Sequence, residues 1–269
     1  MLDAVEETDP PYKAGSMPTD EGHINYFVRR GLGPQLILVP GSFNDRHAFS
    51  DMVLALDPEI NITIIELRGH GGSWPPPKNG SIEQFAGDVI AVANRIHSEV
   101  FFIGGHSIGG MIALEVGRIA PERVRGIISI EGWTKAQAQK EAFGDTGQDT
   151  IPNTLAEKRK KIRESVTENW TKQQVEHFGG IWRHWDGTQF LKNTSLPILE
   201  IWGDRGREKP NLDQLYIPRR DNIEVRWIQN TSHTIPIEAP NKVAETINDF
   251  VRRVSATTPR INAGPARRE

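Results

Sequence analysis

The sequence predicts an α/β fold in which a mostly parallel central sheet is flanked by helices. Short continuous apolar runs recur along the chain, segments with apolar positions spaced near 3.6 residues lie between them, and Gly- or Pro-containing turns end several of the runs. Continuous rather than alternating apolarity marks strands buried on both faces, as a parallel sheet requires. Alternation of such strands with amphipathic helices places the helices on the two faces of the sheet.

The elements follow in order. HINYFVRR, from His23, alternates apolar and polar positions as a half-buried edge strand does. QLILVP (35–40), NITIIEL (61–67), EVFFIGG (99–105), VRGIISI (124–130), PILEIWG (197–203) and IEVRWIQ (223–229) are the buried runs. SIEQFAGDVIAVANRIH (81–97) gathers Ile82, Phe85, Val89, Ile90, Ala93 and Ile96 on one helical face. Ser81 is its N-cap, with Gln84 placed for a capping box. IGGMIALEVGRIA (108–120) and APNKVAETINDFVRRV (239–254) are further helices, the latter with Pro240 in its first turn. Residues 133–190 hold no apolar strand run and read as charged helices, a cap inserted over the strand ends. The expected organisation is an N-terminal extension over 1–21, a core over 22–132 and 191–254, the helical cap over 133–190 and a flexible polar tail over 255–269.

Composition narrows the function classes. The chain has 269 residues, 37% hydrophobic and 25% charged, a soluble globular balance. Its net charge is −3 and it has no long basic run, so a nucleic-acid partner has no electrostatic footprint. Cysteine is absent, which excludes disulfides, thiolate nucleophiles and Cys-ligated zinc. No basic start with an apolar run marks a signal peptide, and no apolar stretch approaches the ~18 residues of a membrane span. A cytoplasmic protein, monomeric or homodimeric, without a membrane partner is the expectation.

Gly105-His106-Ser107-Ile108-Gly109 matches G-x-S-x-G between an apolar strand and a helix, the context in which a serine is held exposed on a tight turn. A serine hydroxyl needs a base to act as a nucleophile near neutral pH. Of eight histidines, His233 has the right place, after the final strand run and before the last helix. His106 adjoins Ser107 but points elsewhere on a tight turn, and His70, in an Arg-Gly loop, packs or caps. An oxyanion would be held by backbone amides: Ile108, directly after the serine, and Ser42, or Phe43, in the loop after LILVP.

LILVPGSFNDRHAF, IIELRGHGGS, GGHSIGG, PILEIWGDRG and NTSHTIPIEAP together resemble, in order, the hallmark segments of the α/β-hydrolase superfamily, over residues ~22–254. The resemblance implies a Ser–acid–His hydrolase with the insertion as its variable cap. Many of these enzymes carry the acid as Gly-x-x-Asp after the Trp-Gly strand. Here that segment reads Gly203-Asp204-Arg205-Gly206, with glycine at the acid position and Asp204 two residues early. A second superfamily location, the end of the preceding strand, holds Glu131, and the layout resembles zearalenone-hydrolase-like lactonases, which use a glutamate there. A carboxylate ending a buried strand also needs a partner, because an unpaired buried charge is costly. Glu131 is the expected acid and Asp204 the alternative.

Four of the seven tryptophans fall within 133–190. Trp133, Trp182 and Phe43 are the expected pocket wall, and an apolar ester or lactone is the expected substrate. No metal or cofactor is implied, since neither a helical H-E-x-x-H nor a G-x-G-x-x-G after the first strands occurs. The expected reaction is hydrolysis of a carboxylic ester or lactone through an acyl-enzyme. A carbon–carbon bond hydrolase or lyase, or a ligand receptor on the same scaffold, are the alternatives.

Overall fold

The computed structural model describes residues 12–144 and 152–257. It contains one eight-stranded sheet: β1 (Lys13–Pro18), β2 (His23–Arg29), β3 (Gln35–Val39), β4 (Asn61–Ile65), β5 (Phe101–His106), β6 (Val124–Ile130), β7 (Ile198–Gly203) and β8 (Ile223–Ile228). The spatial order is β1-β2-β4-β3-β5-β6-β7-β8. The pairs β1·β2 and β2·β4 are antiparallel and the remaining pairs are parallel. All residues of β5 and β7, and four of the five of β3 and of β4, are buried, which explains why these runs show no polar alternation.

The helices are α1 (Ser50–Ala55), α2 (Ile82–Arg95), α3 (Ile108–Ile119), α4 (Ala136–Phe143), α5 (Asn153–Thr167), α6 (Lys172–Phe178), α7 (Thr188–Asn193), α8 (Ile235–Glu238) and α9 (Pro240–Thr257). One core lies between the sheet and α2–α3, where Phe85, Val89, Ile103, Ile112, Ile127 and Trp202 meet. A second lies between the other face and α1–α9, built from Leu36, Leu38, Met52, Ile128, Ile247 and Phe250. Ser81 Oγ accepts the Gln84 N–H at 3.1 Å, capping α2, while the Gln84 side-chain oxygen is buried without a partner. The reciprocal half of the expected capping box is therefore not made.

The expected boundaries change at both ends. The extension assigned to 1–21 contributes β1, an edge strand hidden in the sequence because only Met17 of its six residues is buried. Its register puts Gly15 opposite Tyr26, and a Cβ at Gly15 would lie 2.3 Å from the end of the Tyr26 ring, so a larger residue there would require the ring to move. The first eleven residues lie outside the described set. The tail assigned to 255–269 begins inside α9, which continues to Thr257; the rest of that tail is outside the described residues. Among the described residues no helix is long and apolar enough to cross a membrane.

The chain leaves β3 toward β4 on one side and returns to β5 on the other, so the loops after β3 and β5 part at a topological switch point. Such points form crevices beyond the carboxyl ends of parallel strands. The cap, α4–α6 and the 3-10 turn Ile181–His184, covers this crevice. Trp170 anchors it by donating its Nε1–H to Gly69 O at 2.8 Å, and Phe43, His70, Trp170 and Phe178 pack as one aromatic cluster.

Candidate active site

Ser107 occupies the turn from β5 to α3 at φ 55°, ψ −120°, a conformation that side-chain-bearing residues rarely adopt. The turn closes only because its neighbours lack side chains. A Cβ on Gly105 would lie 2.3 Å from the Gly109 carbonyl, and one on Gly109 would lie 2.0 Å from Val39 O. Ser107 N–H donates to Ile130 O at 2.8 Å, which ties the turn to β6.

His233 comes from the loop between β8 and α8. Its Nε2 lies 3.0 Å from Ser107 Oγ and its Nδ1 lies 3.0 Å from Glu131 Oε2. The ring stacks on Trp133 at 5.6 Å between centroids, with only 6° between the planes. The loop is fixed by Glu238, which accepts the Ser232 N–H at 2.9 Å and the Thr234 hydroxyl at 2.8 Å. The buried His106 also holds it: its Nε2–H donates to the backbone carbonyl of His233 at 2.7 Å. Burial pushes His106 down to about 3, so the ring is neutral.

Glu131 ends β6 at φ 54° and is fully buried. Its carboxylate accepts the Gly203 N–H at 2.6 Å and both terminal nitrogens of Arg205 at 2.6 Å each, in addition to facing His233. Burial alone would raise its pKa. The hydrogen bonds and charges of Arg205 and His233 outweigh that and hold it at about 2. The Arg205 guanidinium is itself packed 3.8 Å from the centre of the Phe143 ring.

The structure thus brings Ser107, His233 and Glu131 into one hydrogen-bonded line and leaves Asp204 out of it. Asp204 Oδ1 accepts the Gly206 N–H at 2.8 Å and the Asn230 N–H at 2.7 Å, so this alternative acid is spent on shaping its own turn. Phe43 is also corrected as an amide donor. Its N–H donates to His70 Nε2 at 2.9 Å, while His70 Nδ1–H donates to Arg68 O at 3.0 Å. Burial depresses His70 to about 4 and keeps it neutral, so Nε2 is free to accept. The amides of Ser42 and Ile108 have no hydrogen-bond partner among the described residues, and both residues line the cavity above Ser107.

That cavity has a volume of about 450 Å³. Phe43, Trp133 and Trp182, the three expected wall residues, all line it. Sequence reasoning missed Arg205, which stands one residue beyond Asp204, and the cap residues Gln139, Arg159 and Arg163, which also line the cavity. The signal for Arg205 was present as a cation directly before the position where many of these enzymes put the acid, which here is Gly206. Nothing in the Lys/Arg-rich run 158–163 marked which members face inward.

A sheet with this order, a strained serine at the β5–α3 turn and a helical cap point to one superfamily, and the comparisons agree. The profile of the alpha/beta hydrolase fold family matches residues 34–178. The chain is 26% identical over 211 residues to the dihydrolipoyllysine-residue acetyltransferase component of the acetoin cleaving system of Cupriavidus necator, covering 68% of this chain and 55% of that protein. It is 24% identical over 256 residues to the pimeloyl-[acyl-carrier protein] methyl ester esterase of Xylella fastidiosa, covering 84% and 98%. The enol-lactonase of Burkholderia xenovorans superposes with a TM-score of 0.69 at 17% identity, over 88% of this chain and 100% of that one. The chain spans about half the length of several curated relatives it matches. On its fold and on the family profile, the chain belongs to the α/β-hydrolase fold family.

Proposed function

We propose that the protein hydrolyses a carboxylic ester or lactone through an acyl-enzyme on Ser107. The observation that carries this reading is the line Ser107 Oγ–His233–Glu131, with 3.0 Å at each junction, at the floor of a cavity lined by Ser42 and Ile108. Similarity to a methyl ester esterase and to an enol-lactonase supports the choice of bond.

Ser107 Oγ attacks the carbonyl carbon as His233 Nε2 takes its proton. The negative charge on the former carbonyl oxygen is held by the Ser42 and Ile108 amides, preorganised donors that strengthen as charge develops. The imidazolium returns its proton to the departing alkoxide oxygen, leaving an ester on Ser107. Water, deprotonated by His233, attacks that ester; the carboxylate product leaves and Ser107 regains its proton. Glu131 fixes the ring so that Nδ1 carries hydrogen and Nε2 is the base, and its charge stabilises the imidazolium.

A fluorophosphonate probe tests the nucleophile. The expected result is stoichiometric labelling mapped to Ser107 and lost in Ser107→Ala. A wild type that stays unlabelled, or a variant that labels equally, rejects the assignment. An ester, lactone and vinylogous diketone panel then separates acyl-oxygen from carbon–carbon cleavage.

A further inference from the structure

Two cap arginines, Arg159 and Arg163, line the cavity above Ser107, and among the described residues no aspartate or glutamate lines it. Both belong to α5, one turn apart, so they share a helix face. The residues three and four positions from them on that helix are Leu155, Ala156, Lys160, Ile162, Val166 and Thr167, none of them a carboxylate. Neither arginine forms an ion pair among the described residues. Their helix neighbours do: Lys158 pairs with Asp51 at 3.1 Å, and Lys160 with Glu164 at 3.9 Å.

The arrangement has an electrostatic cost. Like charges one turn apart on a helix repel. Burial and then the charge of Arg159 lower the Arg163 pKa, and the charge of Arg159 is also among those depressing His106. The Arg163 guanidinium lies 4.2 Å from the centre of the Phe43 ring, which directs it toward the aromatic wall of the cavity. The chain as a whole is acidic, at −3, so this cationic wall runs against its overall charge. Glu131, the carboxylate that faces His233 beneath the cavity, is already matched by Arg205. A bound anion would relieve the repulsion and engage two guanidiniums whose planar forks suit carboxylate or phosphate oxygens.

We infer that the substrate carries an anionic group, a carboxylate or a phosphate, distal to its scissile carbonyl, and that Arg159 and Arg163 bind it. The inference rests on the reading that this cavity receives the ester or lactone, and it narrows the apolar substrate that the sequence suggested to one with a charged far end. The aromatic wall holds the apolar stretch and the arginines hold the terminus.

The test compares 4-nitrophenyl half-esters of four- to eight-carbon dicarboxylic acids with 4-nitrophenyl alkanoates of equal length. In Arg159→Gln/Arg163→Gln the ratio of kcat/KM for half-ester over alkanoate falls at least tenfold, whereas Arg159→Lys/Arg163→Lys keeps most of the preference. The preference also shrinks between low and high salt, since both arginines are exposed at the mouth and therefore screened. An unchanged ratio in the glutamine variant overturns the inference. Calorimetric titration with adipate and with butyl phosphate decides it independently of turnover. Binding to wild type that weakens at least tenfold in the glutamine variant supports it, and the tighter ligand identifies the group. Absence of binding, or equal binding by both proteins, rejects it. Alkanoate hydrolysis that vanishes in Ser107→Ala reports on the ester-hydrolase reading alone, so the two can fail separately.

Discussion

Glu131 carries three obligations in a space without solvent: it accepts from Arg205 and from the Gly203 amide, and it faces His233. A carboxylate this well matched stays ionised, and that constancy suits a group whose role is to orient a ring. Replacing it with glutamine keeps the shape, removes the charge and offers the imidazole an N–H where it needs an acceptor. Glu131→Gln is expected to lower kcat on a 4-nitrophenyl ester by about ten-thousandfold, the scale seen when a triad acid is converted to its amide. Asp204→Asn keeps the carbonyl oxygen that Gly206 and Asn230 use, and kcat should stay within about twofold. A large loss in Asp204→Asn with a small one in Glu131→Gln would reverse the two roles. The sequence showed Glu131 because a charge at the end of an apolar run is conspicuous. It did not show that the needed partner would be two partners, because Arg205 lies 74 residues away and its reach depends on how β6 and β7 align.

At the scale of elements, what the sequence disclosed was what burial writes into it. Strands β3 to β7 and helices α2, α3 and α9 each bury a continuous run or an apolar stripe, and each was visible. Strand β1 buries one side chain and takes its place from pairing with β2, so no pattern announced it. Helix α5 buries only Ile162 and Val166, which left its facing direction, and so the inward turn of Arg159 and Arg163, undetermined until the cap was packed. The loop after β7 matters for another reason: it places Arg205, a buried cation, against the buried anion at the end of β6. Removing one partner of such a pair leaves the other uncompensated. Arg205→Met is expected to destabilise the protein by about 3–5 kcal/mol in chemical denaturation. It should also move the acid limb of kcat/KM to higher pH, because Glu131 loses the cation that holds its proton off. An acid limb that stays in place would mean that Arg205 only supports the fold.

For the whole molecule, buried carboxyls pull stability in opposite directions along the pH axis. Glu131, held at about 2 against an ordinary 4.5, contributes stability above 4.5 that is lost as pH falls through its folded value. Glu200 on β7 is the opposite case. Both its oxygens are buried, and burial outweighs the opposing influence of its polar neighbours Ser129 and Trp202 and pushes it up to about 8. Its contribution is fully present below 4.5 and lost as pH rises through 8. Glu66, raised by burial to about 7, acts in the same direction. The melting temperature is expected to decline between pH 5 and pH 8, and Glu200→Gln, which cannot ionise, to flatten that decline; parallel curves for the two proteins would remove Glu200 from the account. The grip on residue 233 has a consequence for the order in which the chain folds. Ser107 meets its ring across 126 positions and His106 meets its carbonyl across 127, so a loop of nearly half the polypeptide must close before either contact exists. Closing a loop this long costs more chain entropy than pairing strands that are neighbours in sequence, which favours its forming after them. A refolding chain acquires most of its sheet before it acquires a reactive serine, so the onset of probe labelling would time the last step of assembly rather than the first.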